Sequence, residues 1–310
     1  MRLGDLRVLA LGVVALVGAS GAGLLGRSQQ TVFRGTADVV RLNVAVTDSA
    51  GRPVIGLPQD AFEVFDNGRP RPIAAYTSDV QPVAIRVLLD LSDSVLASAA
   101  SMRLASLRLI ERMHSGDQLA FSRLRSSGPL RTNPDELLAD LSSLDLDVGS
   151  LIWEAVQREV LALKEVPGRR AILLATDGAD ASDLFGIPSS FNECCGLVIL
   201  PGFQSEVRKG LTGLGMDREA IQLYVAAIGK LDKRSELRTL SADTGGYVAE
   251  TGSKGALLSE AFTSAVDDLR YQYAIGFTPL ELDGKLHTIS VRVNRAGVTV
   301  RHRSAYVAGR

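Results

Sequence analysis

The chain has 310 residues, of which 46% are hydrophobic and 22% charged, and this length suffices for about two domains. Such a composition excludes a chain that is disordered as a whole. The 34 lysines and arginines nearly cancel the 35 aspartates and glutamates, so no overall field favours nucleic acid or anionic lipid. Only three histidines are present, which argues against a histidine-rich metal centre or a histidine-based catalytic relay.

The two cysteines of the chain, Cys194 and Cys195, are adjacent and provide no disulfide framework. A vicinal disulfide would be strained, so we expect two shielded thiols.

The first 30 residues have the pattern of an export signal. Two arginines lie within residues 1–7, an apolar run follows at 8–17, and small residues occupy 18–23. The apolar run is short for a membrane span of about 20 residues, although inclusion of 18–26 would allow an uncleaved anchor. We predict a signal peptide, with an N-terminal anchor as the alternative. The protein is then exported to the periplasm, cell envelope or extracellular space, and any membrane contact runs through that anchor alone.

Residues 31–79 predict a small antiparallel β segment. Strands are expected at 39–46 and 62–65, and Asn67-Gly68 is a strong hairpin signal. We expect 73–76 to be the returning strand of this hairpin. Three short strands alone bury too little surface to be stable.

Residues 80–270 alternate between strand and helix. Residues 83–89 form a near-continuous apolar run, which is typical of a strand covered on both faces. This alternation predicts a doubly wound, mainly parallel α/β sheet. The apolar positions of its first helix are Leu96, Met102, Leu104, Leu107 and Ile110. The predicted strands are 83–89, 118–122, 171–175, 221–228 and 246–249, and the predicted helices are 95–113, 135–144, 151–163, 206–214, 235–242 and 257–269.

Residues 271–310 return to β structure. Strands are expected at 271–277, 287–293 and 298–301, with a tight turn at 294–297. Each terminal β segment is too small to be stable alone, and chain ends usually lie close together. We therefore expect 271–310 to pack with 31–79 in one accessory antiparallel β module, with the α/β domain inserted between them.

Oxygen-bearing side chains follow the buried strands of the predicted sheet. The strand at 83–89 continues into Asp90-Leu91-Ser92-Asp93-Ser94, and the strand at 171–175 into Thr176-Asp177-Gly178. Ligands bind beyond the carboxyl ends of strands in open α/β sheets, and Mg²⁺ prefers oxygen ligands. The sequence therefore predicts a Mg²⁺ site, with Mn²⁺ or Ca²⁺ as alternatives. Its candidate ligands are Asp90, Ser92, Ser94, Ser150 and Asp177.

A simpler interpretation of the first of these segments is helix capping. Ser92 or Ser94 would accept a backbone N–H of the following helix, and Asp93 would favour its positive end. Capping and metal ligation are compatible with one another.

The candidate ligands resemble the metal-ion-dependent adhesion site of von Willebrand factor type A (VWFA) domains. The resemblance rests on Asp90-x-Ser92-x-Ser94, then Ser150, then Asp177 in Thr-Asp-Gly. It implies that the three serine hydroxyls ligate the metal and that the two aspartates act directly or through water. The family usually has threonine where Ser150 stands.

The flanking segments resemble an exported, mainly acidobacterial group of VWFA-related proteins. Residues 48–68 match its leader of the form Asp-Ser-x-Gly-Arg-Pro-Val, and 271–306 match its β-rich tail. The resemblance thus extends over essentially the whole chain after the leader.

Two carboxylates and neutral hydroxyls leave a bound cation able to attract a further anionic oxygen. We therefore expect a metal-dependent protein-binding module, not an enzyme, whose protein partner supplies an acidic residue. One alternative is a cell-envelope metallohydrolase using Asp177 and a metal-bound water, although no histidine, cysteine or lysine near these positions is poised as base or nucleophile. The other is a scaffold that the metal merely rigidifies.

Residues 184–202 are unusually apolar for a loop that follows the Asp177 turn. They either fold onto their own domain or form an apolar contact patch beside the metal.

Overall fold

A computed structural model describes residues 39–146, 151–179, 220–233 and 235–309. The predictions for the leader at 1–30, Ser150, the loop at 184–202 with its two cysteines, and the helix at 206–214 lie outside the described residues. Within the described ranges, no helix combines the length and apolarity that a bilayer crossing requires.

The elements follow in chain order, first the strands and then the α-helices. The strands are β1 (Val40–Thr47), β2 (Phe62–Asp66), β3 (Arg69–Arg71), β4 (Ile73–Thr77), β5 (Val83–Leu89), β6 (Gln118–Arg123), β7 (Arg169–Thr176), β8 (Ile221–Ala227), β9 (Val248–Glu250), β10 (Tyr273–Phe277), β11 (Lys285–Val293), β12 (Thr299–Arg301) and β13 (Ala305–Ala308). The helices are α1 (Ala99–Glu111), α2 (Pro134–Ser142), α3 (Ile152–Leu163), α4 (Glu236–Asp243) and α5 (Leu258–Arg270).

The α/β part is a five-stranded parallel sheet in the order β6-β5-β7-β8-β9. Helices α1, α2 and α5 pack on one face, and α3 and α4 on the other. Successive residues of β5 alternate between these two cores, with Val87 and Leu89 in the first and Leu88 in the second. All seven residues of β5 are buried, which explains its near-continuous apolar sequence. The predicted doubly wound fold is confirmed.

The accessory module consists of two four-stranded antiparallel sheets, in the orders β12-β1-β10-β4 and β13-β11-β2-β3. Each sheet combines strands from both terminal segments of the chain, since β1 pairs with β10 and β2 pairs with β11. One apolar core joins the two sheets, and it includes Leu42, Phe62, Phe277 and Ile289. The predicted accessory module built from both terminal segments is therefore also confirmed.

The prediction of the returning strand after Asn67-Gly68 was wrong. Asn67 and Gly68 have φ angles of 48° and 76°, and the tight turn that they form brings β3 back along β2. Pro72 follows β3 and has no N–H to donate to the ladder. The chain then crosses to the other sheet, where β4 pairs with β10.

The pairing after the turn at 294–297 also differs from a simple hairpin. Strand β12 pairs with β1 in the other sheet, and the unpredicted β13 pairs with β11. Tyr306 of β13 is buried in the core of the module. The burial of this side chain, and not closeness in sequence, therefore determines which strand pairs with β11.

The first helix of the α/β part starts later than its sequence predicts. Residues Asp93–Ser98 form a 3₁₀ turn, and the α-helix begins at Ala99. Leu96 and Leu104 belong to the apolar positions of the predicted helix, yet they are 46% and 52% exposed. Ala105 and Ser106 occupy the buried stripe in their place.

The chain passes between the β module and the parallel sheet twice, and both connections lie at the amino ends of the strands of the parallel sheet. Arg169 begins β7, and its guanidinium donates to the carbonyl oxygens of Asp79 and Gln272, at 3.4 and 2.5 Å. The first of these residues lies between β4 and β5, and the second lies between α5 and β10. The module is thus fastened at the end of the sheet opposite to its carboxyl edge.

A buried ion pair interrupts the apolar sequence of β5. The guanidinium of Arg86 donates to Glu159 of α3 and to the Gly128 carbonyl, the latter at 2.7 Å. The Glu159 carboxylate also accepts the hydroxyls of Ser127 at 2.6 Å and Ser122 at 3.3 Å. Both charged side chains lie almost wholly out of water, with 5% and 0% exposed.

Glu159→Gln should lower the free energy of unfolding by about 3–5 kcal/mol, because it leaves the buried Arg86 charge without its counter-ion. Urea denaturation measures the loss. Glu136→Gln is the matched control, since its pair with Arg131 is half exposed and should contribute no more than about 1 kcal/mol. Equal losses in the two variants would contradict a structural role for the buried pair.

Candidate functional site

The carboxyl ends of β5 and β7 form the centre of the candidate site. The two strands run parallel with Leu89 opposite Ala175, so Asp90 and Thr176 come next in register. The Asp90 N–H donates to the Ala175 carbonyl at 3.0 Å and continues the ladder past the end of β5. Two predicted turns are thereby brought side by side.

Asp90 is fully buried, and both of its carboxylate oxygens accept hydrogen bonds. Oδ1 accepts the backbone N–H of Ser92 at 3.1 Å and the hydroxyl of Ser92 at 2.6 Å. Oδ2 accepts the hydroxyl of Thr176 at 2.7 Å. These donors fix the position of the carboxylate between the two strand ends.

Ser92 connects Asp90 to Ser94. The Ser92 and Ser94 hydroxyl oxygens lie 3.3 Å apart, and Ser94 is exposed where Ser92 is buried. Ser92 occupies the N-cap position of the 3₁₀ turn Asp93–Ser98, yet its side chain caps no backbone N–H. Its hydroxyl donates to Asp90, so the capping interpretation fails for Ser92.

The second turn places Asp177 beside this group. The Asp177 carboxylate accepts the Ala179 N–H, and the Thr176 hydroxyl accepts the Gly178 N–H, each at 3.0 Å. Gly178 has a φ of +82°, a conformation that favours glycine, and a methyl group there would meet the Leu231 side chain. The Asp177 side chain therefore stays in a tight turn at the carboxyl edge of the sheet.

Burial raises the pKa of Asp90 above its ordinary value. The hydrogen bonds from Ser92 and Thr176 oppose this effect, and the neighbouring Asp177 carboxylate adds to it. A divalent cation held beside the two carboxylates would offset this effect of Asp177 on Asp90.

The oxygen atoms present fit a hard divalent cation. Neighbouring ligands of an octahedral Mg²⁺ lie about 2.9 Å apart when its bonds are 2.0–2.1 Å long. The hydroxyl oxygens of Ser92 and Ser94 lie 3.3 Å apart, which is near this spacing. Ser92 is buried and Ser94 is exposed, as expected for two ligands of an ion that faces solvent on one side. Within the part of the chain described, no three His, Cys, Asp or Glu residues cluster in a way that could hold a metal ion.

Four of the five predicted ligands are described residues, and they lie in two adjoining turns; Ser150 lies outside the described residues. Thr176 is a functional candidate that the motif did not identify. It touches Asp90 only because β5 and β7 have this register. The available signal was its position directly before Asp177, at the last residue of a buried strand.

No protein-family profile and no curated protein matches the chain. Solved structures that resemble it include the conserved hypothetical protein BatB from Bacteroides thetaiotaomicron, 16% identical with a TM-score of 0.42 over 60% of this chain and 98% of that one. The vWF domain of the type V pili tip protein Mfa5 from Porphyromonas gingivalis is 10% identical, with a TM-score of 0.41 over 60% and 94% of the two chains. The ArnB paralog VWA2 from Sulfolobus acidocaldarius is 12% identical, with a TM-score of 0.40 over 88% and 76%.

Two of these three structures are named for the VWA or vWF domain. The acidobacterial group stays a prediction.

Thr176→Val should lower the free energy of unfolding by about 1–3 kcal/mol, because the buried Asp90 carboxylate loses a donor while the side-chain volume is kept. Urea denaturation in the presence of EDTA measures the loss. In an Asp90→Ala background the same substitution should cost markedly less, since its acceptor is gone. An equal cost in both backgrounds would mean that the Thr176 hydroxyl does not act on Asp90.

Proposed function

We propose that the chain is an exported protein-interaction module that binds an acidic side chain of a protein partner through a divalent cation. The observation that carries the proposal is the hydrogen-bonded group of Asp90, Ser92, Ser94 and Thr176 at the carboxyl edge of a parallel sheet. Ligands bind at this edge in open α/β sheets. Export is inferred from the leader at 1–30.

Mg²⁺ is the proposed ion, with Mn²⁺ or Ca²⁺ as alternatives of the same ligand preference. Ser92, Ser94 and Ser150 would hold it through their hydroxyls, while Asp90 and Asp177 would act directly or through water. When bound, the ion supplies an exposed positive charge for a carboxylate of the partner. The hydrogen bonds on Asp90 keep this acceptor group in place before the ion arrives.

Binding is favoured over hydrolysis by the location of the proton-transfer groups. Asp90 is buried with both oxygens hydrogen-bonded, which is unsuited to a general base. His114 precedes β6, at the opposite end of the sheet, while His287 and His302 belong to the β module. Among these groups the hydrolase alternative is left with Asp177 alone, and we propose no catalytic step for this edge.

Mg²⁺ at 100 times its Kd should raise the free energy of unfolding by about 2.7 kcal/mol, because it binds the folded chain alone. EDTA should reverse the rise, and Asp90→Ala should abolish it. Thermal and urea unfolding with and without Mg²⁺ measure the effect.

Asp93→Ala is the matched control, since Asp93 is an exposed carboxylate between Ser92 and Ser94 that is not among the proposed ligands. It should keep the response to Mg²⁺. A wild-type chain that Mg²⁺, Mn²⁺ and Ca²⁺ all fail to stabilise would overturn the proposed function.

A further inference from the structure

The connection between β10 and β11 joins the two sheets of the β module, and we call its residues 278–284 the strap. The Leu280 N–H donates to Asp66 Oδ2 at 3.3 Å, and the Thr278 carbonyl accepts the Nε–H of Arg71 at 2.9 Å. Asp66 ends β2 and Arg71 ends β3. Polar contacts therefore fasten the strap to the end of both strands.

The ring of His287 forms a further contact with the strap. His287 belongs to β11 and is 4% exposed. Its Nδ1 lies 2.9 Å from Asp66 Oδ1, and its Nε2 lies 3.2 Å from Oδ1 of Asp283 in the strap. Asp66 is buried, and its other oxygen accepts the Tyr306 hydroxyl at 2.9 Å. The imidazole thus connects a carboxylate of the sheet to a carboxylate of the strap.

These two contacts determine how many protons the ring needs. An ionised carboxylate only accepts hydrogen bonds, and a neutral imidazole has a single N–H. In the neutral ring of His287, one nitrogen would therefore set its lone pair against a carboxylate oxygen. The Tyr306 hydroxyl lies 3.3 Å from Nδ1 but makes its shorter contact with Asp66, so it does not replace that carboxylate. The imidazolium has two N–H groups and satisfies both contacts.

The charged and titratable groups around this cluster keep their protonation state where histidine titrates. Lys285 Nζ lies 3.4 Å from Asp283 Oδ2, and the Lys285 N–H holds the pKa of Asp283 below its ordinary value. Burial and the hydrogen bond to a carboxylate raise the pKa of Tyr306, so its hydroxyl stays neutral. Arg303 lies over the Tyr306 ring, and it stays protonated, as does Arg71. Histidine is therefore the residue type here whose charge changes between about pH 6 and about pH 9.

His302 of the same module has the opposite environment. Its Nε2 accepts the Val291 N–H at 3.1 Å, and its Nδ1 donates to the Arg303 carbonyl at 2.7 Å. One nitrogen accepts and the other donates, which requires the neutral ring. Burial lowers the pKa of His302, in agreement with this arrangement. His302 thus provides an internal reference for the charge of His287.

We propose that His287 is a pH-sensitive latch, whose imidazolium holds the strap against the β module and whose loss of one proton releases it. Because the closed strap binds the proton, low pH favours closure and rising pH favours release. The proposal involves no metal and is independent of the proposed function.

Amide hydrogen exchange of the full chain, followed by NMR from about pH 6 to about pH 9, tests the latch. Protection factors remove the direct effect of pH on the exchange chemistry. The Leu280 N–H and the Lys285 N–H, which donates to Asp283 Oδ1 at 3.0 Å, report on the strap. We expect their protection factors to fall about tenfold or more, because a charge-assisted hydrogen bond is lost. Protection within β10 should change less.

Asp283→Asn should abolish this dependence on pH, because an amide can accept from the charged ring and donate to the neutral one. His287→Gln should abolish it as well. Glu281→Gln is the matched control, since it removes an exposed carboxylate from the same strap and should keep the fall. Thermal melting verifies that each variant is folded.

The ¹⁵N chemical shifts of the histidine rings measure the protonation directly, with His287→Gln and His302→Gln used for assignment. At about pH 6 we expect two N–H groups on His287 and one on His302. A neutral His287 ring at this pH would overturn the latch. The same conclusion would follow if the ring lost its charge without a fall in strap protection, or if Asp283→Asn kept the fall.

Discussion

The buried carboxylate of Asp90 is the group on which the candidate site depends. Its position follows from the register of two parallel strands, which sets it beside Thr176 and lets the ladder continue one residue past β5. Its two oxygens then orient Ser92 and Thr176, so the turns on both strands are organised around one acid. Burial raises the pKa of this acid, which means that its charged form is held against a desolvation cost. Such local costs are characteristic of functional positions.

The β module and the candidate binding site lie at opposite ends of the parallel sheet. The β module joins the α/β domain at the amino ends of the strands, where Arg169 binds carbonyl groups of both crossings. The oxygen-rich turns lie at the carboxyl ends of the same strands. A rigid sheet therefore stands between the part of the chain that fastens the module and the part that we propose binds the partner. The Arg86–Glu159 ion pair links β5 to helix α3 on one face of that sheet. The strand that leads to Asp90 is therefore fixed by this pair as well as at its two ends.

The sequence predicted the elements whose signal is local. Mostly apolar runs identified β5, β7 and β8, and the polar residues that follow β5 identified Asp90, Ser92 and Ser94. Features that depend on contacts between distant segments were not predictable in this way. The partner of β4 and the existence of β13 depend on which strand buries its face in the module core, and neither follows from the adjacent turns.

Thr176 and Leu96 illustrate the same limit within the site. The role of Thr176 depends on strand register, because one residue of slippage would move its hydroxyl away from Asp90. Leu96 fitted a helical periodicity, but the 3₁₀ turn changes the direction of its side chain and leaves it exposed.

Diffraction from crystals soaked in Mn²⁺, with anomalous scattering used to locate the metal, tests the central claim most directly. The account predicts one strong peak at the carboxyl edge, within bonding distance of the Ser92 and Ser94 hydroxyls and adjacent to Asp90 and Asp177. A Mn²⁺ ion bound elsewhere on the chain, with this edge bare at saturating metal, would contradict it.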